Sequence, residues 1–221
     1  MLALFPLGMV HFPGVVLPLH VFEERYRTLV ADLLTLPEDE REFGVIAIRE
    51  GREVGTDGVT ALYDVGCATV LREAERHDDG RYDLLTVGTR PFRVLALFPP
   101  DDDRPYFSAD VAWLAEDEPS GAGSLHVAVR AALTDYLDAL CTASGAPPAQ
   151  IDLPDDPSDL AHLIGATILL DLPDRQDLLD QVDTAARLRR ELSVLRRETG
   201  VLTHLQAVPA PDLVRTPYVD N

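Results

Sequence analysis

The spacing of apolar residues changes period about halfway along the chain. Up to residue 114 the runs are short and strand-like: "LALFPL", "VVLPL", "FGVIAI" (Phe43 to Ile48), "VGCATVLREAER", "RYDLLTVGTRPFRVLALF" and "YFSADVAWL". "HDDGR" between the fourth and fifth carries the Asp-Gly signature of a tight hairpin turn. Short strands with regular turns predict a small barrel or folded-over sheet. One helix interrupts them, because Phe22, Tyr26, Leu29, Val30 and Leu33 recur at helical spacing. Glu23 and Glu24 suit its first turn, and Glu23 is spaced to pair with Arg27.

"EDEPSGAGS" (Glu116 to Ser124) has no periodicity and predicts a boundary with a hinge. Beyond it the period is helical. Leu125, Val129, Ala132, Leu133, Tyr136 and Leu140 form one stripe that ends near Gly145. "SDLAHLIGATILL" is predicted to start from a Ser158 cap, "DRQDLLDQ" from Asp174, and the last helix from Asp183, stopping at Gly200. Leu188, Leu192 and Leu195 face inward on that helix. The expected class is α+β: a β-rich unit over 1–117 with one helix, a helical bundle over 118–205, and an extended tail over 206–221.

The opening "MLALFPLGMVHFPGVVLPLHVFEERYR" is rich in apolar residues, but Pro6, Pro13 and Pro18 break any helix through it. Its first basic side chain, Arg25, follows the apolar run, the reverse of a secretion signal. No stretch has the roughly 18 apolar residues of a membrane span. Cys67 and Cys141 are isolated and read as small buried hydrophobes of a cytoplasmic protein. With 38 acidic and 19 basic residues the net charge is −19, which disfavours nucleic acid and anionic membranes as partners.

All the basic residues are arginine, and the absence of lysine narrows the chemistry. It removes the GxxxxGK[ST] phosphate loop, a Ser–Lys dyad and any Schiff-base amine. Arginine stays protonated and does not serve as a general base. There is no GxSxG elbow, no HExxH and no Cys/His set at ligand spacing, so neither a cofactor nor a metal is expected. His11 and His20 flank the apolar opening and are the histidines of interest, with hydrogen-bonded structural roles as the plain alternative. "DDD" at 101–103 reads as a solvated loop.

Two stretches are candidate contact surfaces. Met9, Val10 and Phe12 lie in the turn-like "GMVHFPG", either as an exposed polypeptide-binding loop backed by Phe22 and Tyr26, or folded back with Phe12 plugging the barrel end. Arg189, Arg190, Arg196 and Arg197, with Arg187, make a basic island on the last helix. It is either a solvated face, Arg187 balanced by Asp183 and Glu191, or a docking site for an acidic partner.

"LFPLGMVHFPGVVLPLHVFEERYRTLV" resembles the opening of the amino-terminal, substrate-binding domain of the Lon proteases. "FGVIAI…EVG" and "VGCATVLREAERHDDGRYDLLTVGTRPFRV" follow that family in order, and "LAHLIGATILLDLPDRQDLLDQVDTAARLRRELSVLRRE" is similar to its helical half. The resemblance covers roughly Met1 to Gly200. Glu24 stands where free-standing members often have proline, and the ATPase and protease modules are not part of the match. The resemblance is thus to the short, free-standing bacterial members. It implies a PUA-like β unit plus a helical bundle, and a non-catalytic module that binds apolar segments of unfolded or damaged polypeptides as an adaptor or regulator of a protease. The alternative is a small-molecule sensor or hydrolase using a cleft between the two parts.

Overall fold

The computed structural model describes residues 1–52, 59–114, 123–147, 152–181, 183–205 and 219–220. The elements run β1 (Leu2–Leu7), β2 (Val16–Val21), α1 (Glu24–Leu34), a 3-10 turn (Glu38–Glu40), β3 (Glu42–Gly51), β4 (Val59–Arg76), β5 (Tyr82–Phe98) and β6 (Ser108–Trp113). Then come α2 (Gly123–Ser144), α3 (Pro157–Thr167), α4 (Leu172–Leu179), α5 (Thr184–Leu205) and a two-residue β7 (Val219–Asp220). Two compact units result: Met1–Ala115 with Thr216–Asn221, and Glu116–Arg215.

The first unit is a closed ring. Strand neighbours run β4-β3-β1-β6-β5, and β4 pairs again with β5 to complete the circuit. β1 and β3 are parallel, and the other ring pairs are antiparallel. β5 belongs to two surfaces: Tyr82–Val87 pairs with β2, and Phe92–Phe98 with β6. Register shifts along β3–β4 and β4–β5 mark the irregularities that let long strands bend.

Strand alternation sends one residue set into the ring and the other outward. Leu2, Leu4, Ile46, Ala68, Phe92 and Ala109, drawn from all five ring strands, form the inner cluster. A ring this narrow has room for one large side chain at its centre, and Phe92 takes it. A Cβ on Gly44 would lie 2.7 Å from the Phe92 ring and 2.8 Å from Leu4, and one on Gly66 would lie 2.6 Å from that ring and 2.5 Å from the Val45 carbonyl. The opposite face of β1 and β3, with β2, packs on α1. Phe5 stacks on Tyr26 at 4.3 Å, and Leu29, Val30 and Leu33 complete the buried face. Glu23 pairs with Arg25 at 2.8 Å in place of the expected Arg27, since residue 23 precedes the helix in extended conformation.

The second unit holds four helices, among the described residues, around Val129, Leu133, Tyr136, Leu160, Ile164, Leu188 and Leu195. Three details differ from the sequence expectation. Asp156, not Ser158, caps α3, accepting from the Ser158 and Asp159 amides at 2.8 and 3.1 Å, with Pro157 in the first turn. Asp171, not Asp174, caps α4 in the same way, ahead of Pro173. α5 starts from the expected Asp183 cap but runs through Gly200 to Leu205, because burying Leu202 in the bundle offsets the roughly 1 kcal/mol cost of a helical glycine. Most of the expected 116–124 hinge and of the 206–221 tail lies outside the described residues. Gly123 and Ser124 already belong to α2, and Val219–Asp220 lies parallel to β2.

Arg187 is the largest correction. It is fully buried instead of solvated, its guanidinium donating to the carbonyls of Leu178 and Gln181, where the C-terminal end of α4 favours a cation. Glu191 is buried beside it, and neither carboxylate oxygen has a hydrogen-bond partner among the described residues. Burial holds the Glu191 proton well above the ordinary value of 4.5, with Arg187 opposing.

Two predictions follow from packing. Gly44→Ala and Gly66→Ala should each cost about 2 kcal/mol or more by overpacking. Adding Phe92→Leu should recover stability for Gly44→Ala, whose clashes are with side chains, but not for Gly66→Ala, which meets the Val45 backbone; denaturant melts of the four variants check this. Burial raises the Glu191 pKa above that of the unfolded chain, so its contribution to stability is largest at low pH and is lost as pH rises. Glu191→Gln should therefore raise the Tm at pH 8 and leave it unchanged near pH 4.5.

Candidate functional site

The residues 8–15 fold back on the barrel. The Gly14 amide donates to the Gly88 carbonyl at 2.9 Å, and the Gly88 amide to the Val15 carbonyl at 3.0 Å. Phe12 and Val10 are buried, and Met9 is half-buried against the main core. Tyr26 is buried in the α1 face, and Phe22 is half-buried. Of the two readings of Met9, Val10 and Phe12, burial fits the folded-back one: the segment closes one side of the β unit, and its backbone bonds to Gly88 hold it there. His11 is buried with it. Neither ring nitrogen has a hydrogen-bond partner among the described residues, and desolvation lowers its pKa from 6.5 to about 4.

Apolar exposure lies elsewhere, at the far half of β5 and on β6. Leu95 is 67% exposed, and Leu97, Phe98 and Trp113 are each at least 40% exposed. Trp113 pairs with Phe92 across the strands and carries the Arg90 guanidinium over its ring at 3.7 Å. The backbone is open there as well. β1 pairs with β6 only at Ser108 and Ala109, so from Asp110 to Trp113 β6 pairs with β5 alone among the described residues. A strand edge beside apolar side chains is a template for another extended chain. Sequence reading passed over this surface, although "RVLALFPP" is continuously apolar where a strand with one wet face alternates.

The arginine island divides. Arg190 and Arg197 reach Asp174 of α4 at 3.5 and 3.3 Å, and Arg197 also pairs with Glu198 at 2.7 Å. Arg189 and Arg196 are exposed on the same helix.

Two of the larger hollows among the described residues each lie within one unit. One of about 430 Å³ is bordered by Met1, Asp32, Glu42, Arg104 and Tyr106; Tyr106 donates to Asp32 at 2.6 Å, and desolvation with that carboxylate pushes its hydroxyl up to about 12. The other, about 750 Å³ between α2 and α5, is lined by Asp135, Asp138, Ala139, Thr142 and Thr199, among others. Neither lining contains a histidine or cysteine. Burial pushes the Cys67 thiol far up, which makes it inert, while Cys141 is half-buried instead of buried. No described helix is long and apolar enough to cross a membrane.

Comparison with known proteins agrees with this architecture. The family model of the ATP-dependent protease La (LON) substrate-binding domain matches residues 1–197. Lon protease 2 of Myxococcus xanthus is 27% identical over 206 residues, which is 91% of this chain and 24% of that protein. The Lon protease of Escherichia coli K12 is 28% identical over 200 residues, again 24% of its length. The chain therefore spans about a quarter of these relatives. Among solved structures, a Lon N-terminal domain protein from Xanthomonas campestris superposes with a TM-score of 0.60 at 25% identity, covering 87% of this chain and 96% of that one. The N-terminal domain of a Mycobacterium avium complex Lon protease gives 0.62 at 16% identity and shares the fold, covering 90% of this chain and 97% of that one.

His11 generates a pH prediction. Buried as a neutral ring, it must be protonated on unfolding below 6.5, so its stabilising contribution is present above that value and is lost as pH falls towards 4. At roughly 1.4 kcal/mol per pH unit the full loss is about 3 kcal/mol. His11→Leu should flatten the stability profile between pH 6.5 and 4, read by urea melts across that window.

Proposed function

The chain belongs to the LON substrate-binding domain family, and from that premise we propose that it binds apolar, extended segments of other polypeptides without cutting them. The carrying observation is the edge of β6 from Asp110 to Trp113, which has no second strand partner among the described residues and carries the exposed Trp113, with Leu95 behind it on β5 and Leu97 and Phe98 exposed farther along that strand. Backbone pairing at that edge supplies affinity that is indifferent to client sequence, and the apolar side chains select unfolded segments over folded surfaces. The lone acidic side chain on the edge, Asp110, discourages self-pairing of strands.

A module of this kind serves proteolysis as a recognition element: it holds a client and hands it on. Lysine-free chemistry supports holding without turnover. The exposed arginines of α5, Arg189 and Arg196 with Arg190 and Arg197, are the surface we assign to an acidic partner, such as the protease itself.

The test is binding of a fluorescent, reduced and alkylated client by anisotropy. Phe98→Ser with Trp113→Ser should weaken binding at least tenfold and lower the Tm by only a few degrees, because both rings are already partly in water. Met9→Ser should reduce stability more than binding. A stable double variant that binds as wild type overturns the assignment of this surface, and client cleavage by pure protein overturns the non-catalytic reading.

A further inference from the structure

His20, His77 and Asp83 converge on one point of the β unit. His20 is the last residue but one of β2 and is the register partner of Asp83 on β5. His77 follows β4 and faces Asp83 across the hairpin, whose turn is closed by the His77 amide on the Arg81 carbonyl and by Gly80 at φ +85°. One carboxylate thus serves two imidazoles: Asp83 Oδ1 lies 2.5 Å from His20 Nδ1, and Oδ2 lies 2.7 Å from His77 Nε2. All three potential ligand atoms lie within 4.8 Å of one another. The side chains are 17% (His20), 36% (His77) and 35% (Asp83) exposed, so the cluster is anchored by strands and reachable from water.

We propose that His20, His77 and Asp83 form a three-ligand site for a borderline divalent transition-metal ion, Zn²⁺ foremost, with the fourth position open to water or to a ligand. Two imidazole nitrogens and one carboxylate oxygen are the donor set such ions take when one position stays open. Tetrahedral bonds of about 2.0–2.2 Å put ligand atoms about 3.3 Å apart, so the present arrangement needs adjustments of about 1 Å, within reach of partly exposed side chains. Two donors lie on paired strands, His20 on β2 and Asp83 on β5, and His77 lies in the turn that its own amide closes on Arg81, so most of the ordering is complete before an ion arrives.

One neighbour opposes the ion. Arg81 Nη1 lies 3.3 Å from His20 Nε2, while its Nε is held by Asp79 at 2.7 Å. When Nδ1 of His20 binds metal, its proton sits on Nε2, and the Arg81 tip turns away while Nε stays on Asp79. The competing account is a purely structural His–Asp–His hydrogen-bond network joining β2 to the hairpin.

The two are separated with the full chain, tag removed and stripped with EDTA, titrated with ZnCl₂ against a chromophoric chelator. The expected result is one equivalent bound, with His20→Gln, His77→Gln and Asp83→Asn each weakening affinity at least tenfold and His126→Gln, in the other unit, leaving it unchanged. Co²⁺ should give the visible d–d bands of a four-coordinate site in wild type and not in His77→Gln. Zn²⁺ should raise the Tm of wild type by several degrees and not that of the three site variants, which also shows whether each variant folds. Absence of stoichiometric binding, or binding that survives in folded His20→Gln and His77→Gln, overturns the proposal. Client binding by the surface at Trp113 is read separately, so failure of one assignment leaves the other standing.

Discussion

A five-stranded ring can close only if its interior is filled without being overfilled, and Phe92 against Gly44 and Gly66 meets that condition here. A smaller residue would leave a void, and a side chain on either glycine would push the facing strand outward. β4 and β5 are the long strands: β4 pairs with β3 and β5, and β5 pairs with β4, β2 and β6 along its length. The register shifts in those strands are the bends by which they do so.

The rest of the β unit inherits its geometry from that closure. The half of β5 that leaves the β2 pairing sends Phe92 into the ring and leaves Leu95, Leu97 and Phe98 exposed, and β1, offset in register, pairs with β6 only at Ser108 and Ala109 among the described residues. The exposed strand edge is thus a consequence of the register offset between β1 and β6, which are both six residues long. The other half of β5 lies between β2 and β4, and that sandwich brings Asp83 between two histidines. One strand supplies both the surface proposed for polypeptides and the carboxylate proposed for a metal ion.

In the helical unit the ordering interaction is polar. Arg187 is sequestered by carbonyls at the end of α4, with Asp183 occupied as the cap of α5 and the Glu191 pKa raised by burial. Asp174, released from capping by Asp171, is free to accept Arg190 and Arg197. α4 and α5 are therefore locked at both ends by arginines of a single helix, and the exposed part of that arginine row remains on the surface.

The sequence by itself determined whatever depends on neighbours a few residues apart. Alternation and helical spacing located the strands, α1 and the four later helices, and the lysine-free composition set the limits on chemistry. The run from "LFPLGMVHFPG" to "LPDRQDLLDQVDTAARL" carried the family. Local pattern placed the caps of α3 and α4 slightly late, because Pro157 and Pro173 occupy first turns that a preceding aspartate caps. Tertiary structure alone decided which side chains meet water. Nothing near Phe12 in the sequence says that Gly88 will pin its loop inward, and nothing near Arg187 says that α4 will end against it. His77 and Asp83 are neighbours across one hairpin, but His20 stands 57 and 63 positions before them, and only the β2–β5 strand register sets it beside them.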